Sequence, residues 1–148
     1  MEVLRRLTRR QVDALQAIQR LESPERGAAL NGIASTLNVR PPSALDHLTA
    51  LEGLGLVTRH RGKTRLSDAG RDCLLDYQRH HRIAESLLQH AGLRAEETCR
   101  AAREIDLALS HQMITRIYRA GGEPEECPHG GRIPPLAAAP RNRRSSAG

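Results

Sequence analysis

Residues 77–90 read YQRHHRIAESLLQH and place His80, His81, Glu85 and His90 in one stretch of helical character. His81 and Glu85 are four apart, so on a helix they stand one above the other. An imidazole and a carboxylate so placed form two arms of a divalent-metal clamp, and the same spacing suits a solvated helix face. His80 and His90 are expected in solvent. Three thiols add to the inventory: Cys73, Cys99 and Cys127. Their odd number and wide spacing argue against a disulfide framework. Cys127 and His129 lie two apart, which fits a metal site, a redox site or a structural turn.

A second chemistry is carried by LVTRHRGKTRLS, residues 56–67. Arg59, Arg61, Lys63 and Arg65 recur at spacing two, which sets them on one face of a regular ribbon whose tip is Gly62. Four such cations suit phosphate contacts. Residues 1–66 hold 11 Lys and Arg against 6 Asp and Glu, whereas residues 67–120 hold 8 of each. A basic first half joined to a neutral second half predicts a polyanion-binding module fused to an assembly module. Tyr77 and Tyr118 are the only aromatics, so base stacking on single strands has no platform.

The elements that must position these groups follow from periodicity. Val12, Leu15 and Ile18 form one stripe over residues 8–22, with Thr8 as N-cap. A short helix over 28–37 is followed by PPSALDHLTALEGLGL, where Pro suits a helix start and Gly53 and Gly55 a stop. Two short helices and a tight turn match helix-turn-helix geometry, and the basic hairpin after them reads as a wing. Ser67 opens a long helix to about His90; further helices are expected over 95–110 and 111–120. From Gly121 the chain reads as an irregular arm and then a disordered tail. In the second helix of the pair, Ser43, Asp46 and His47 lie where side chains reach base edges. Pro42 suits a thymine methyl, and Arg40 precedes the helix beside the phosphates.

The order of elements resembles the diphtheria toxin repressor and manganese transport regulator family. The likeness is carried by GIASTLNVRPPSALDHLTALEGLGLVTRHRGKTRLSDAG, by RHHRIAESLLQHAGL and by CPHGGRIP, and spans about residues 8–135. It implies a cytoplasmic, homodimeric transcription factor, usually a repressor, that binds a palindromic double-stranded DNA operator. Its short form lacks the further SH3-like domain of some relatives. Mn(II) or Fe(II) is the implied corepressor. By the same resemblance Asp13, His81 and Asp106 fall on primary metal-ligand positions, while Arg103 and Leu107 replace ligands there. His81 and Glu85 match the ancillary metal position, with Cys99 where a His is usual. A guanidinium cannot ligate a metal. Arg103 is therefore expected either to act as a metal-replacing cation, pairing with Asp13 and Asp106, or to point to water.

The expected fold is mainly α: a winged helix-turn-helix over residues 1–72, a helical dimerisation and metal-site domain over 73–120, and a Gly/Pro/Arg-rich arm and tail over 121–148. Dimerisation is expected through positions such as Leu107, Leu109, Ile114 and Ile117. The expected function is DNA-binding transcriptional regulation with an altered metal response. Metal-independent or thiol-responsive regulation through Cys99 or Cys127, and a winged helix that binds protein, are the alternatives; the depleted ligand set also admits no metal at all. No Gly-rich phosphate loop or nucleophile elbow points to an enzyme, and no apolar run is long enough to span a membrane.

Overall fold

The computed structural model describes residues 3–135; the tail expected to be disordered lies outside them. After a 3-10 turn at Leu4–Arg6, helix α1 runs Arg9–Leu21. Thr8 caps it in a capping box: the Gln11 amide donates to Thr8 Oγ1 and the Thr8 amide to Gln11 Oε1. Its predicted stripe, Val12, Leu15 and Ile18, is fully buried. Helix α2 (Leu30–Leu37) stops at Asn38, whose φ of 54° turns the chain toward α3 (Pro41–Gly53). Pro41 and Pro42 sit in the first turn of α3, where a missing amide hydrogen costs nothing.

Strand β1 (Ala28–Ala29) was expected to be helical. It instead pairs with β3 (Lys63–Leu66), which also pairs with β2 (Val57–His60), in the order β1-β3-β2. Gly27 permits this approach, since a Cβ there would lie 2.9 Å from the Thr64 carbonyl oxygen. Arg61 and Gly62 form the hairpin tip with φ of 47° and 73°, the left-handed pair that a two-residue turn demands. Leu15, Ile18, Ile33, Leu48, Leu51, Leu56 and Leu74 fill the core, with the Tyr77 ring buried beside them.

Helix α4 (Asp68–His90) is capped by Ser67 and runs unbroken across the boundary expected at 72/73. A Cβ on Gly70 would lie 2.0 Å from the Leu56 carbonyl oxygen, so the bare glycine lets α4 press onto the base of the wing. Helix α5 (Ala95–Ile105) ends five residues short of the expected span, and α6 (His111–Ala120) starts at a Ser110 cap. A second, smaller core of Ile83, Ile114 and Ile133 lies under α6 and is joined by Leu109, Ile117 and Tyr118. The arm closes on itself through a Glu126–Arg132 bridge and a Cys127 amide to Gly131 carbonyl bond. The protein is thus mainly helical, a winged helix-turn-helix followed by a helical domain. Among the described residues no helix is long and apolar enough to cross a membrane.

Candidate metal centre and nucleic-acid interface

Three side chains converge on His81. Its Nδ1 lies 2.8 Å from Asp106 Oδ2, beyond the end of α5, and its Nε2 lies 3.3 Å from Glu85 and 3.5 Å from Cys99 Sγ. Burial opposes a charge on this ring, but the bonds to Asp106, Glu85 and Cys99 outweigh it and push the imidazole up to about 10. Without a metal, a proton therefore holds the place on Nε2 that a cation would take. Glu85 is 3% exposed, and His129 Nδ1 approaches the same oxygen that faces His81, Oε1, to 3.2 Å. Burial, the largest single influence, would raise the Glu85 carboxyl, but His81, Cys127 and His129 together outweigh it and hold the carboxyl below the ordinary carboxylate range.

Two donor sets meet at this carboxylate: His81, Glu85 and Cys99, and Glu85, Cys127 and His129. Within each set the ligand atoms lie within 4.8 Å of one another. Imidazole, carboxylate and thiolate around one point fit a divalent transition ion. Cys99 is exposed, whereas Cys127 is buried and its thiol pushed up chiefly by that burial, so an ion there must displace a proton. Asp106 completes the arrangement by accepting from His81 Nδ1, which fixes the tautomer that turns the Nε2 lone pair toward Glu85 and Cys99.

The residues expected at the primary position do not make such a site. Asp106 is fully buried, and besides His81 it is held by the Arg9 guanidinium and by the Tyr77 hydroxyl at 3.0 Å. Burial alone would raise its carboxyl, yet these donors hold it below the ordinary value. Arg103 donates to both oxygens of Asp13 at 3.1 and 3.2 Å. It does not reach Asp106 as expected, because Arg9 takes that carboxylate and also donates to the Arg103 carbonyl at 2.7 Å. Leu107 turns into the main core. With guanidinium groups seated on both carboxylates, the donor set does not fit a divalent ion.

Arg9 and Tyr77, which hold the buried Asp106 carboxylate, are residues that the sequence reading missed. The available signals were a cation one turn before Asp13, and one of only two aromatics four residues before His81. His80, expected in solvent, is 3% exposed and stacks on His111 with ring centroids 5.8 Å apart. Its burial is forced by the helix: the face that points His81 at Asp106 turns its neighbour toward α6. His90 is exposed, as expected.

The other candidate site lies on α3 and the wing. Arg40, Pro42, Ser43 and Asp46 are exposed and His47 is half-exposed along the start of α3. Lys63 and Arg65 do not share a face with Arg59. Strand register pairs Arg59 with Thr64, which is buried, and Thr58 with Arg65, so Lys63 and Arg65 line one face with His60 while Arg59 turns the other way. Arg59 lies 3.8 Å from Glu52, Arg61 occupies the tip, and Arg65 donates to the Ser23 carbonyl at 3.0 Å. Spacing two failed because the two-residue turn, Arg61 and Gly62, falls between His60 and Lys63 and resets the alternation.

A helix-turn-helix with a wing, joined by one long helix to a domain rich in metal donors, defines a class of regulatory protein. Residues 67–135 match the iron dependent repressor, metal binding and dimerisation domain. Over this part the chain is similar to the iron-dependent repressors, in line with the resemblance to the diphtheria toxin repressor and manganese transport regulator family read from its motifs. A hypothetical protein, SSo2273 from Sulfolobus solfataricus, is similar at 29% identity with a TM-score of 0.82, covering 87% of this chain and 100% of its own. T. acidophilum IdeR is similar at 26% identity and a TM-score of 0.66, over 90% of this chain and 64% of its own. A manganese-dependent transcriptional repressor in complex with manganese is similar at 26% identity and a TM-score of 0.71, over 88% of this chain and 63% of its own. The chain therefore spans less than two thirds of the length of these last two proteins. Among proteins of curated function, none matches.

Proposed function

We propose that the protein is a homodimeric, DNA-binding transcriptional repressor whose metal response differs from that of a repressor with a complete primary site. The observation that carries this reading is the exposed start of α3 beside a wing face bearing His60, Lys63 and Arg65, on the half of the chain with the cationic excess. Ser43, Asp46 and His47 read base edges of a palindromic operator, with Pro42 beside them; Arg40, Arg61, Lys63 and Arg65 contact phosphates. Arg59 acts at most through the wing's shape, since it faces Glu52.

Glu85, with His81 and Cys99 or with Cys127 and His129, holds Mn(II), Fe(II) or a softer divalent ion. Asp13 and Asp106 serve the ion pairs described above. The division at residue 72 is functional, with α4 shared between the winged helix and the metal-binding, dimer-forming domain. The exposed Leu87 and Met113 and the apolar cavity of about 250 Å³ between α4 and α6 support an assembly surface there. Ile114 is already fully buried within the chain and contributes from beneath. The site carries no catalytic arrangement, and an intracellular location fits a DNA partner.

The test is fluorescence anisotropy on duplex from the protein's own upstream region, titrated over a range of salt, with sedimentation to give the mass of the complex. A steep salt slope and a dimer on the duplex are expected. Weak binding that ignores salt overturns the DNA reading in favour of a winged helix that docks protein.

A further inference from the structure

The ion pairs at the α1 junction cross over. Arg9, the first residue of α1, gives its guanidinium to the buried Asp106 and to Tyr77 Oη at 2.8 Å. Asp13, one turn further on, takes the guanidinium of Arg103 from α5. Each element thus supplies one cation and one carboxylate, and the two pairs balance in charge. Arg9 also reaches the Arg103 backbone carbonyl, which welds the pairs into a single unit. The joint lies where α1, which packs on both α2 and α3, meets α4 and α5.

A divalent ion bridging Asp13 and Asp106 would be the other way to fasten α1 to α5, and here both carboxylates already hold a fixed cation. The cations cannot leave by deprotonation, and Asp106 cannot be left bare in its buried place without a large desolvation cost. We propose that Arg9 and Arg103 are positioning residues that replace a bridging metal, holding the helix-turn-helix at one angle to the helical domain at every metal concentration. This rests on the reading of α3 and the wing as the DNA-binding surface. A metal at Glu85 then acts on the arm and on α4, and is not what closes the joint.

The experiment pairs two readouts on the full chain in excess chelator and in Mn(II): hydrogen exchange of the α1 amides, and anisotropy on the upstream duplex. In the unaltered chain, α1 protection and tight binding persist in chelator. Arg103→Ala, on a half-exposed side chain, lowers both by about tenfold, with Mn(II) giving no recovery. Arg103→Lys retains most of both. Arg103→Glu, paired with Arg9→Met, gathers three carboxylates at the joint; it loses protection in chelator and regains it with Mn(II), which a merely structural arginine would not produce. Protection of α1 that appears in the unaltered chain only with Mn(II), or an Arg103→Ala chain indistinguishable from the parent in both readouts, overturns the proposal. If the exchange pattern is as expected while no duplex binds, the joint stands and the DNA reading falls.

Discussion

His81 places one ring nitrogen 2.8 Å from Asp106 and turns the other toward Glu85 and Cys99. One imidazole therefore belongs to two networks, the salt-bridged joint of α1 with α5 and the donor set around Glu85. Asp106→Asn separates them. The amide leaves Arg9 without its buried counter-charge and no longer fixes the His81 tautomer. We expect a loss of about 2 kcal/mol in stability, less than for a fully buried pair because Arg9 keeps a solvent face. Metal affinity should fall about tenfold or more with the orienting partner gone. Urea unfolding and calorimetric Mn(II) titration measure the two effects; unchanged metal affinity would mean that His81 is no ligand.

Glu85 is common to both donor sets, so its removal should cost more than the removal of any outer ligand. Glu85→Gln keeps the shape of the buried side chain and withdraws the charge. Metal affinity is expected to fall by about a hundredfold, against roughly tenfold for Cys99→Ser or Cys127→Ser. Equal effects of Cys99→Ser and Glu85→Gln would place the ion on the His81 side alone. A zinc and cobalt series adds the spectroscopic check, since cobalt–thiolate absorption reports sulfur ligation directly.

What the sequence displayed and what it hid divide along physical lines. The stripe of Val12, Leu15 and Ile18, the Thr8 and Ser67 caps and the Pro-led α3 rest on local periodicity and hydrogen-bonding rules, and they stand as expected. Strand β1 depends on partners 34 and 36 residues away and on the space left by Gly27, which no local pattern reports. The pairing of Arg103 with Asp13 was legible because both fell on positions of the family motif. Arg9 was not, since surface arginines are abundant in this chain and only the fold brings this one to Asp106. The same holds for His80: its neighbour's role was read from spacing, but which face of α4 would be covered by α6 is a tertiary fact.

The wing offers a contrast that tests the DNA surface. Lys63 lies on the outward face with His60 and Arg65, while Arg59 faces Glu52. Lys63→Ala should weaken binding to all duplexes alike and lower the salt slope by about one. Arg59→Ala should leave that slope unchanged. Anisotropy at several salt concentrations on operator and scrambled duplex decides it, and equal slopes for the two variants would contradict the assigned faces.

His80 and His81 are neighbours that titrate in opposite directions, which gives stability an optimum in pH. Burial, reinforced by the cation of a protonated His111, pushes His80 down to about 4 from its ordinary 6.5, with Asp76 acting the other way and Arg79 beside it. Between these values the unfolded chain binds the extra proton, so stability is complete above pH 6.5 and is lost as pH falls toward 4. His81 is raised to about 10; the folded chain binds the extra proton, and its contribution is complete below 6.5 and lost as pH rises. Acidic groups do not blur the lower limb above about pH 5, because Asp106 and Glu85 are held below their ordinary values. Cys73, which burial pushes up to about 11, costs stability only once its unfolded thiol ionises near 9.0. In chelator, urea midpoints should therefore peak near pH 6.5 and fall on both sides. His80→Leu should flatten the acid limb alone, and Asp106→Asn the limb between 6.5 and 9.0 alone. A His80→Leu chain whose acid limb matches the parent's would show that the buried ring does not carry that slope.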